Sequence, residues 1–273
     1  QKKDIVSALE SLRDLGTLHV EHQEELSGYQ LEERREEVEV LKQSLDILQR
    51  VGGKSNVPQK DSCDWTEVVN SVLELSGEIE HDKESVAKRE IQIRQWKPWG
   101  DFNPADIQEL AAMGIYVQLC EVPAKKTAEI PAGVILEKMH FSGGVHRCLA
   151  IYREKIDLPF ETISPPSSSL KQMEKARGEE QSKIEQAQQK IEDACCYFSV
   201  LQRILVERGN VLKFEEVEKG MREEQELALL KGYCPADACG NIAAQAQQEQ
   251  WGLLIEDPSA EDNVPTLLRN PRW

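Results

Sequence analysis

Three stretches of this chain repeat apolar residues every seven positions, and that repeat limits the possible folds more than any other feature. In one, a first series reads Leu170, Arg177, Ile184, Ile191, Phe198 and Leu205, and an interleaved series reads Met173, Glu180, Ala187, Ala194 and Leu201. Together they make the a/d seam of a coiled-coil helix with two polar defects, Arg177 and Glu180. Ser169 with Gln172 forms a capping box just after Pro165 and Pro166, which marks the start. Gly209 and Asn210 are the expected weak point, beyond which Val211, Phe214, Val217 and Met221 continue at helical spacing.

The second stretch follows Asp64, with Trp65, Val72, Ile79, Val86 and Ile93 seven apart and Val68 and Leu75 at the second seam position. Asp64 and Glu67 supply its N-terminal cap pattern. The third has Leu31, Val38 and Leu45 with Leu41 and Leu48, and it breaks at Gly52 and Gly53. A helix over 65–95 would be about 46 Å long at a rise of about 1.5 Å per residue. Its apolar stripe must be covered, and antiparallel packing of 28–95 against 167–222 within one chain is the simplest cover.

Other segments have a different texture. Asn103 and Pro104 read as a helix start, with Ile107, Leu110, Ala111 and Met113 as its stripe and Gly114 as its end. IYVQLCEV follows as a strand. VILEKMHF and VHRCLAIYRE flank Ser142, Gly143 and Gly144, a hairpin signal. Residues 4–15 read as an amphipathic helix stopped by Gly16, with TLHVEH as a strand. ELALLKGYCP reads as a strand, 238–250 as a helix and WGLLIE as a further strand. One strand before Gln1 would complete a split βαβ pair in the ferredoxin-like manner. The expected class is α+β: a dumbbell of two small ferredoxin-like lobes joined by a long antiparallel coiled coil. The proximal lobe takes 1–22 with 224–273, the rod 23–96 with 165–223, and the distal lobe 97–164.

Charge narrows the function. The chain has 49 acidic and 33 basic residues in 273, a formal net charge of -16. Nucleic-acid phosphates and anionic lipid both select basic surfaces, so neither is an expected partner. No segment has the apolar length of a membrane span, and none reads as a secretory signal. The seven cysteines are scattered and odd in number, which reads as reduced cytosolic thiols.

No catalytic residue, cofactor or metal site is expected. Gly53, Lys54 and Ser55 resemble the end of a phosphate loop, but Leu48 stands where the pattern needs glycine and a helix precedes it. Cys234 and Cys239 lack the second ligand pair a zinc site wants, and read as a strand cysteine and a helix-turn cysteine. Cys195 flanks the seam and Cys196 is expected to face outward. His140 and His146 flank the hairpin turn and could approach each other. The glutamate-rich residues 32–39 read as a solvated helix face. Trp96 and Trp99 are the candidate partner-binding residues, because they lie where rod meets lobe and aromatics anchor interfaces. They serve equally well as a wedge between helix and lobe.

The segments LRDLGTLHVEH, WKPWGDF, LLKGYCPAD and DPSAEDNVPTLLRNP together resemble the cytoplasmic N-terminal domain of subunit I of rotary V/A-type ATPases, whose eukaryotic counterpart is subunit a. VPTLLRNP is the most specific of them. Tyr233 and Cys234 depart mildly from a Gly-Trp-Val-Pro-like pattern of the family. The resemblance implies a dumbbell fold and a non-catalytic stator role. It implies peripheral-stalk E–G heterodimers as partners, with the central-stalk socket, known as C or d, and other rotary-ATPase components nearby. It implies that a membrane domain working with the proteolipid ring in proton or sodium transport follows PTLLRNP, with Val264, Leu267 and Leu268 at the junction. The location implied is the cytoplasmic face of a membrane. The other reading is a free-standing coiled-coil adaptor, or the arm and hinge of a chromosome-maintenance ATPase, against which the missing phosphate loop and the short ends argue.

Overall fold

The structure is a computed structural model that describes residues 4–21, 28–52, 58, 60–126, 130–154, 156–224, 227–259, 262 and 264–265. Along the chain, α1 (Ile5–Leu15) leads to β1 (His19–Glu21) and the long helices α2 (Tyr29–Gly52) and α3 (Trp65–Trp96). A 3-10 turn (Lys97–Trp99) precedes α4 (Pro104–Ala112), β2 (Tyr116–Pro123), β3 (Ile135–Ser142), β4 (Val145–Tyr152) and β5 (Glu161–Ile163). The helices α5 (Leu170–Ala194) and α6 (Phe198–Lys219) are separated by a second 3-10 turn, Cys195–Tyr197. β6 (Arg222–Glu224), β7 (Leu227–Leu229), β8 (Lys231–Tyr233) and α7 (Cys239–Gln248) follow. The fold is α+β, long helices with small antiparallel sheets. The chain divides into two compact units, residues 1–50, 56–69 and 196–273 in one and 51–55 and 70–195 in the other.

In the first unit, α2 buries Leu31, Val38, Leu41, Leu45 and Leu48, the whole of the seam its heptads predict. Ion pairs flank that seam: Arg34–Glu215 at 2.6 Å, Arg35–Glu216 at 3.0 Å and Arg208–Glu37 at 3.5 Å. Numbers rise on α2 as they fall on α6, so the two helices run antiparallel. The guanidinium of Arg208 also lies over the Trp65 ring, 5.6 Å from its centroid. At the other end of α6, Arg13 of α1 sits over Phe214 at 5.7 Å. Gly16 ends α1 in the left-handed region, φ 61°, where glycine meets no steric penalty. β1 then pairs antiparallel with β8, His19 opposite Tyr233 and Glu21 opposite Lys231. β6 and β7 form a separate antiparallel pair.

Three expectations fail here. WGLLIE is not a strand; Leu253, Leu254 and Ile255 are 45%, 80% and 50% exposed. The amide of Trp251 closes the end of α7 on the Ala246 carbonyl and Gln250 takes φ 59°, so the chain turns away without a ladder to join. Gly209 and Asn210 do not interrupt α6. The interruption is the 3-10 turn at Cys195–Tyr197. A 3-10 turn advances about 3.0 residues rather than about 3.6, and so rotates the seam. Cys195, Cys196, Val200 and Leu201 are buried, while Phe198 and Leu205 are half-exposed. Cys196 therefore faces inward, contrary to expectation.

In the second unit, α5 starts on a capping box, Ser169 with Gln172, as predicted. It buries Met173, Ile184, Ala187 and Ile191. Val72 and Ile79 of α3 are likewise buried. Four strands form one antiparallel sheet in the order β3-β4-β2-β5. The strand order and its antiparallel pairs match a ferredoxin-like sheet. That fold carries a helix in each of two crossovers, whereas here the described part of the β2–β3 connection holds a single 3-10 turn, Ala124–Lys126, and that of the β4–β5 connection holds no helix. The ferredoxin-like detail thus holds for the sheet of this lobe and fails for its helices. One face of the sheet buries Cys120, Val122, Cys148, Ala150, Tyr152 and Phe160. The other buries Leu119 against Trp96, Trp99 and Met173.

Candidate functional site

Helix α3 ends at Trp96, and Pro98 favours the tight turn that follows. Gly100 then takes φ 78° and ψ 179°, a conformation open only to glycine, and turns the chain toward α4. This turn swings both tryptophans inward. Trp96 is 8% exposed and Trp99 2%, with ring centroids 6.3 Å apart and planes tilted by 46°. Around them lie Leu119 and Met173, then Ile93, Phe102, Ile107, Leu149 and Ile163 at the margin. Of the two readings, the wedge is the one this geometry realises: the rings seat the helix end on the sheet and offer no face to solvent. Rings of this size bury roughly 150–250 Å² each, enough to hold the turn rigidly.

What the turn presents outward is its backbone and Lys97. With Arg94, Pro98, Gly100, Met139 and His140, Lys97 lines an open cleft of about 480 Å³. Three cationic or protonatable groups thus gather in a chain of net charge -16. Asp101, next along, anchors the start of α5. Its carboxylate accepts the Lys171 amide at 3.2 Å and pairs with Lys171 Nζ at 3.1 Å, which holds it below the usual carboxylate range.

One wall of the cleft is β3, an edge strand. Register with β4 shifts between Lys138 and His140, a bulge that leaves Met139 without a ladder partner. Ile135, Met139 and Phe141 are 67%, 42% and 56% exposed. The β3–β4 turn is Gly143 and Gly144, at φ 60° and 81°, the double positive φ of a type I′ turn. His146 meets Phe141, ring centroids 4.5 Å apart, and His140 pairs across the ladder with Arg147. The two histidines do not face each other. An outer edge of backbone groups unpaired among the described residues, three exposed apolar side chains and a basic cleft suit binding to an extended or helical partner of acidic and apolar character. The hairpin was legible in the sequence, but the cleft was not, because it depends on the bulge at Met139 and on the inward turn of the tryptophans.

Elsewhere the chemistry is sparse. Cys120 and Cys148 are fully buried cross-strand neighbours; burial pushes the Cys120 thiol up to about 11 and raises Cys148 as well. Among the described residues, no group of three or more His, Cys, Asp or Glu converges as metal ligands. No helix of the described residues is long and apolar enough to cross a membrane. Gly53, Lys54, Ser55, Leu267 and Leu268 lie outside the described residues, and Val264 is 46% exposed.

No protein-family model matches the chain. V-type ATP synthase subunit I 1 of Treponema pallidum (strain Nichols) is 27% identical over 299 residues, covering 97% of this chain and 46% of that protein. V-type ATP synthase subunit I of Borreliella burgdorferi is 19% identical over 272 residues, covering 96% of this chain and 43% of that protein. The chain therefore spans a little under half the length of these curated relatives. Among solved structures, it matches a crystal structure of the cytoplasmic N-terminal domain of subunit I, homolog of subunit a, of V-ATPase, with a TM-score of 0.38 and 12% identity over 90% of this chain and 95% of that one. The chain is similar along nearly its whole length to V-type ATP synthase subunit I.

Proposed function

We propose that this relative of V-type ATP synthase subunit I is a stator scaffold: it ties peripheral stalks to the ion-translocating membrane part of a rotary ATPase. One observation carries the reading, the similarity to two subunit I proteins across 97% and 96% of the chain. On this reading the work of the chain is mechanical, and binding replaces catalysis. Its long helices make an antiparallel coiled-coil rod over 23–96 and 165–223. A proximal lobe (1–22 with 224–273) and a distal lobe (97–164) each offer a docking surface. The heptad pattern of α2, α3, α5 and α6 supports the rod, since fixed helical rise and an interlocked seam resist compression and sliding.

The partner at the distal lobe is the E–G peripheral-stalk heterodimer, and its docking surface is the β3 edge with the Arg94–Lys97 cleft. Trp96 and Trp99 act there by holding the turn that shapes the cleft. The central-stalk socket and the membrane sector with its proteolipid ring complete the proposed setting, at the cytoplasmic face of the membrane. An isolated contact is expected to be weak to moderate, because the assembled machine adds further attachment points. Titration calorimetry of the 273-residue chain against the purified stalk heterodimer tests this. Binding by the native chain, weakened about ten-fold or more by Phe141→Asp, is the expected result. Unchanged affinity in that variant moves the docking site off β3, and no binding by the native chain overturns the stalk partner.

A further inference from the structure

Cys234 follows β8 directly, and Cys239 opens α7. Their Sγ atoms lie 3.2 Å apart, closer than van der Waals contact between two sulfurs. Both side chains are partly exposed. We propose that Cys234 and Cys239 form a reversible disulfide, which makes the β8–α7 connection a thiol-oxidation site of this chain.

The geometry favours bond formation over the alternatives. A disulfide needs its sulfurs about 2.05 Å apart, so each has to move by only about half an ångström, within reach of small χ1 adjustments. A soft metal wants more ligands than two, and no larger cluster of His, Cys, Asp or Glu exists among the described residues. Cys120, Cys148, Cys195 and Cys196 are buried, which shields them from an oxidant. The oxidant class is a small-molecule disulfide. A thiolate of the pair attacks it, forming a mixed disulfide and releasing one small thiol. The second thiolate of the pair then attacks the protein sulfur of that mixed disulfide and releases the second small thiol. Two protein thiols are oxidised and one external disulfide is reduced to two thiols, so atoms and electrons balance. The hydrogen bond to Cys239, with burial behind it, raises the Cys234 thiol above its ordinary value, so the exchange accelerates as pH rises.

The structural consequence is local. The two cysteines are five positions apart, so closing the ring removes little chain entropy. The bond instead fixes the angle between β8 and α7, and β8 is the strand that holds β1 in register.

The test is a glutathione redox series on the native chain, quenched with a maleimide and mapped by peptide mass spectrometry. At the oxidising end, maleimide labelling of both Cys234 and Cys239 should fall about ten-fold, with an intramolecular mass loss of about 2 Da and no retained glutathione. Reduction should restore labelling. Cys239→Ser should retain glutathione on Cys234. Persistent labelling of both thiols at the oxidising end, stable glutathione on either native cysteine, or a disulfide to another chain would each overturn the proposal.

Discussion

Arg89 of α3 grips Glu180 of α5 through two parallel contacts, Nε to Oε2 at 3.0 Å and Nη2 to Oε1 at 2.6 Å. Glu180 occupies a seam position that the heptad reserves for an apolar side chain, and the bidentate pair is why it is tolerated there. The side chains are 28% and 18% exposed, so the pair is partly desolvated. Arg89→Met is expected to cost about 1–3 kcal/mol, because it leaves a half-buried carboxylate unpaired. Combining it with Glu180→Leu should recover most of that loss. Urea denaturation of both singles and the double variant measures the coupling, and additive losses would mean that the pair contributes nothing beyond its parts.

The same contact sets a pH dependence. The hydrogen bond from Arg89 holds the Glu180 carboxyl below its ordinary value. A carboxylate lowered on folding adds stability that is complete above its unfolded pKa and is lost as pH falls through the folded one. The stability gap between the native chain and Glu180→Gln should therefore be constant near neutrality and close as pH falls from about 5 toward about 3. Asp101 is lowered too and adds its own acid loss to both proteins, so only the difference isolates Glu180. A gap that widens on acidification would contradict the assignment.

Ile191 is 2% exposed on the buried face of α5, while Gln188 on the same helix faces solvent. Ile191→Ala should cost about 2–5 kcal/mol. Gln188→Ala should change stability by less than about 0.5 kcal/mol. Thermal or chemical melts of the two variants compare them directly; equal losses would place the seam elsewhere.

Gly232 is required by closeness rather than by conformation. A Cβ there would stand 2.5 Å from the His19 carbonyl oxygen, in a ladder whose backbone leaves no room to yield. Gly232→Ala should destabilise the β1–β8 pair by about 1–3 kcal/mol. Hydrogen exchange should then speed up at β1 and β8 amides, with the β2–β4 ladder unaffected.

Trp99 and Phe141 separate support from contact. Trp99→Ala should cost about 3–5 kcal/mol, since it empties a packed site. Phe141→Asp lies on an exposed edge and should stay within about 0.5 kcal/mol of the native chain. Differential scanning calorimetry decides; a neutral Trp99→Ala would contradict its burial.

Legibility in the sequence followed the kind of force at work. The seam of α2 was readable residue by residue, because an uninterrupted heptad has one phase and burial follows it. The α5–α6 seam was readable to Ile191 and again at Leu201, but not at Phe198 and Leu205, because the 3-10 turn at Cys195–Tyr197 shifts the phase and no residue there announces it. In the first turn of α3 the buried valine is Val69, at 1% exposed, rather than the expected Val68, which is half-exposed. The Gly143 and Gly144 turn was readable because a I′ turn demands those residues. The cleft was not, since Arg94, Lys97 and Met139 converge only through tertiary packing. Trp96 and Trp99 stood out as large aromatics, but periodicity cannot say whether such a ring faces a partner or its own core.

The order of charges along α2 and α6 bears on how the chain reaches its structure. Arg35 and Glu216 are 181 positions apart, so the contact between α2 and α6 is non-local and closes a long stretch of chain. A coiled-coil seam by itself accepts docking one heptad out of step, a kinetic trap. Here such a slip would set Arg34 opposite Arg208 in one direction and Glu37 opposite Glu215 in the other. Either slip brings like charges together beside the seam, so the order of charges disfavours the misaligned registers and leaves the native one.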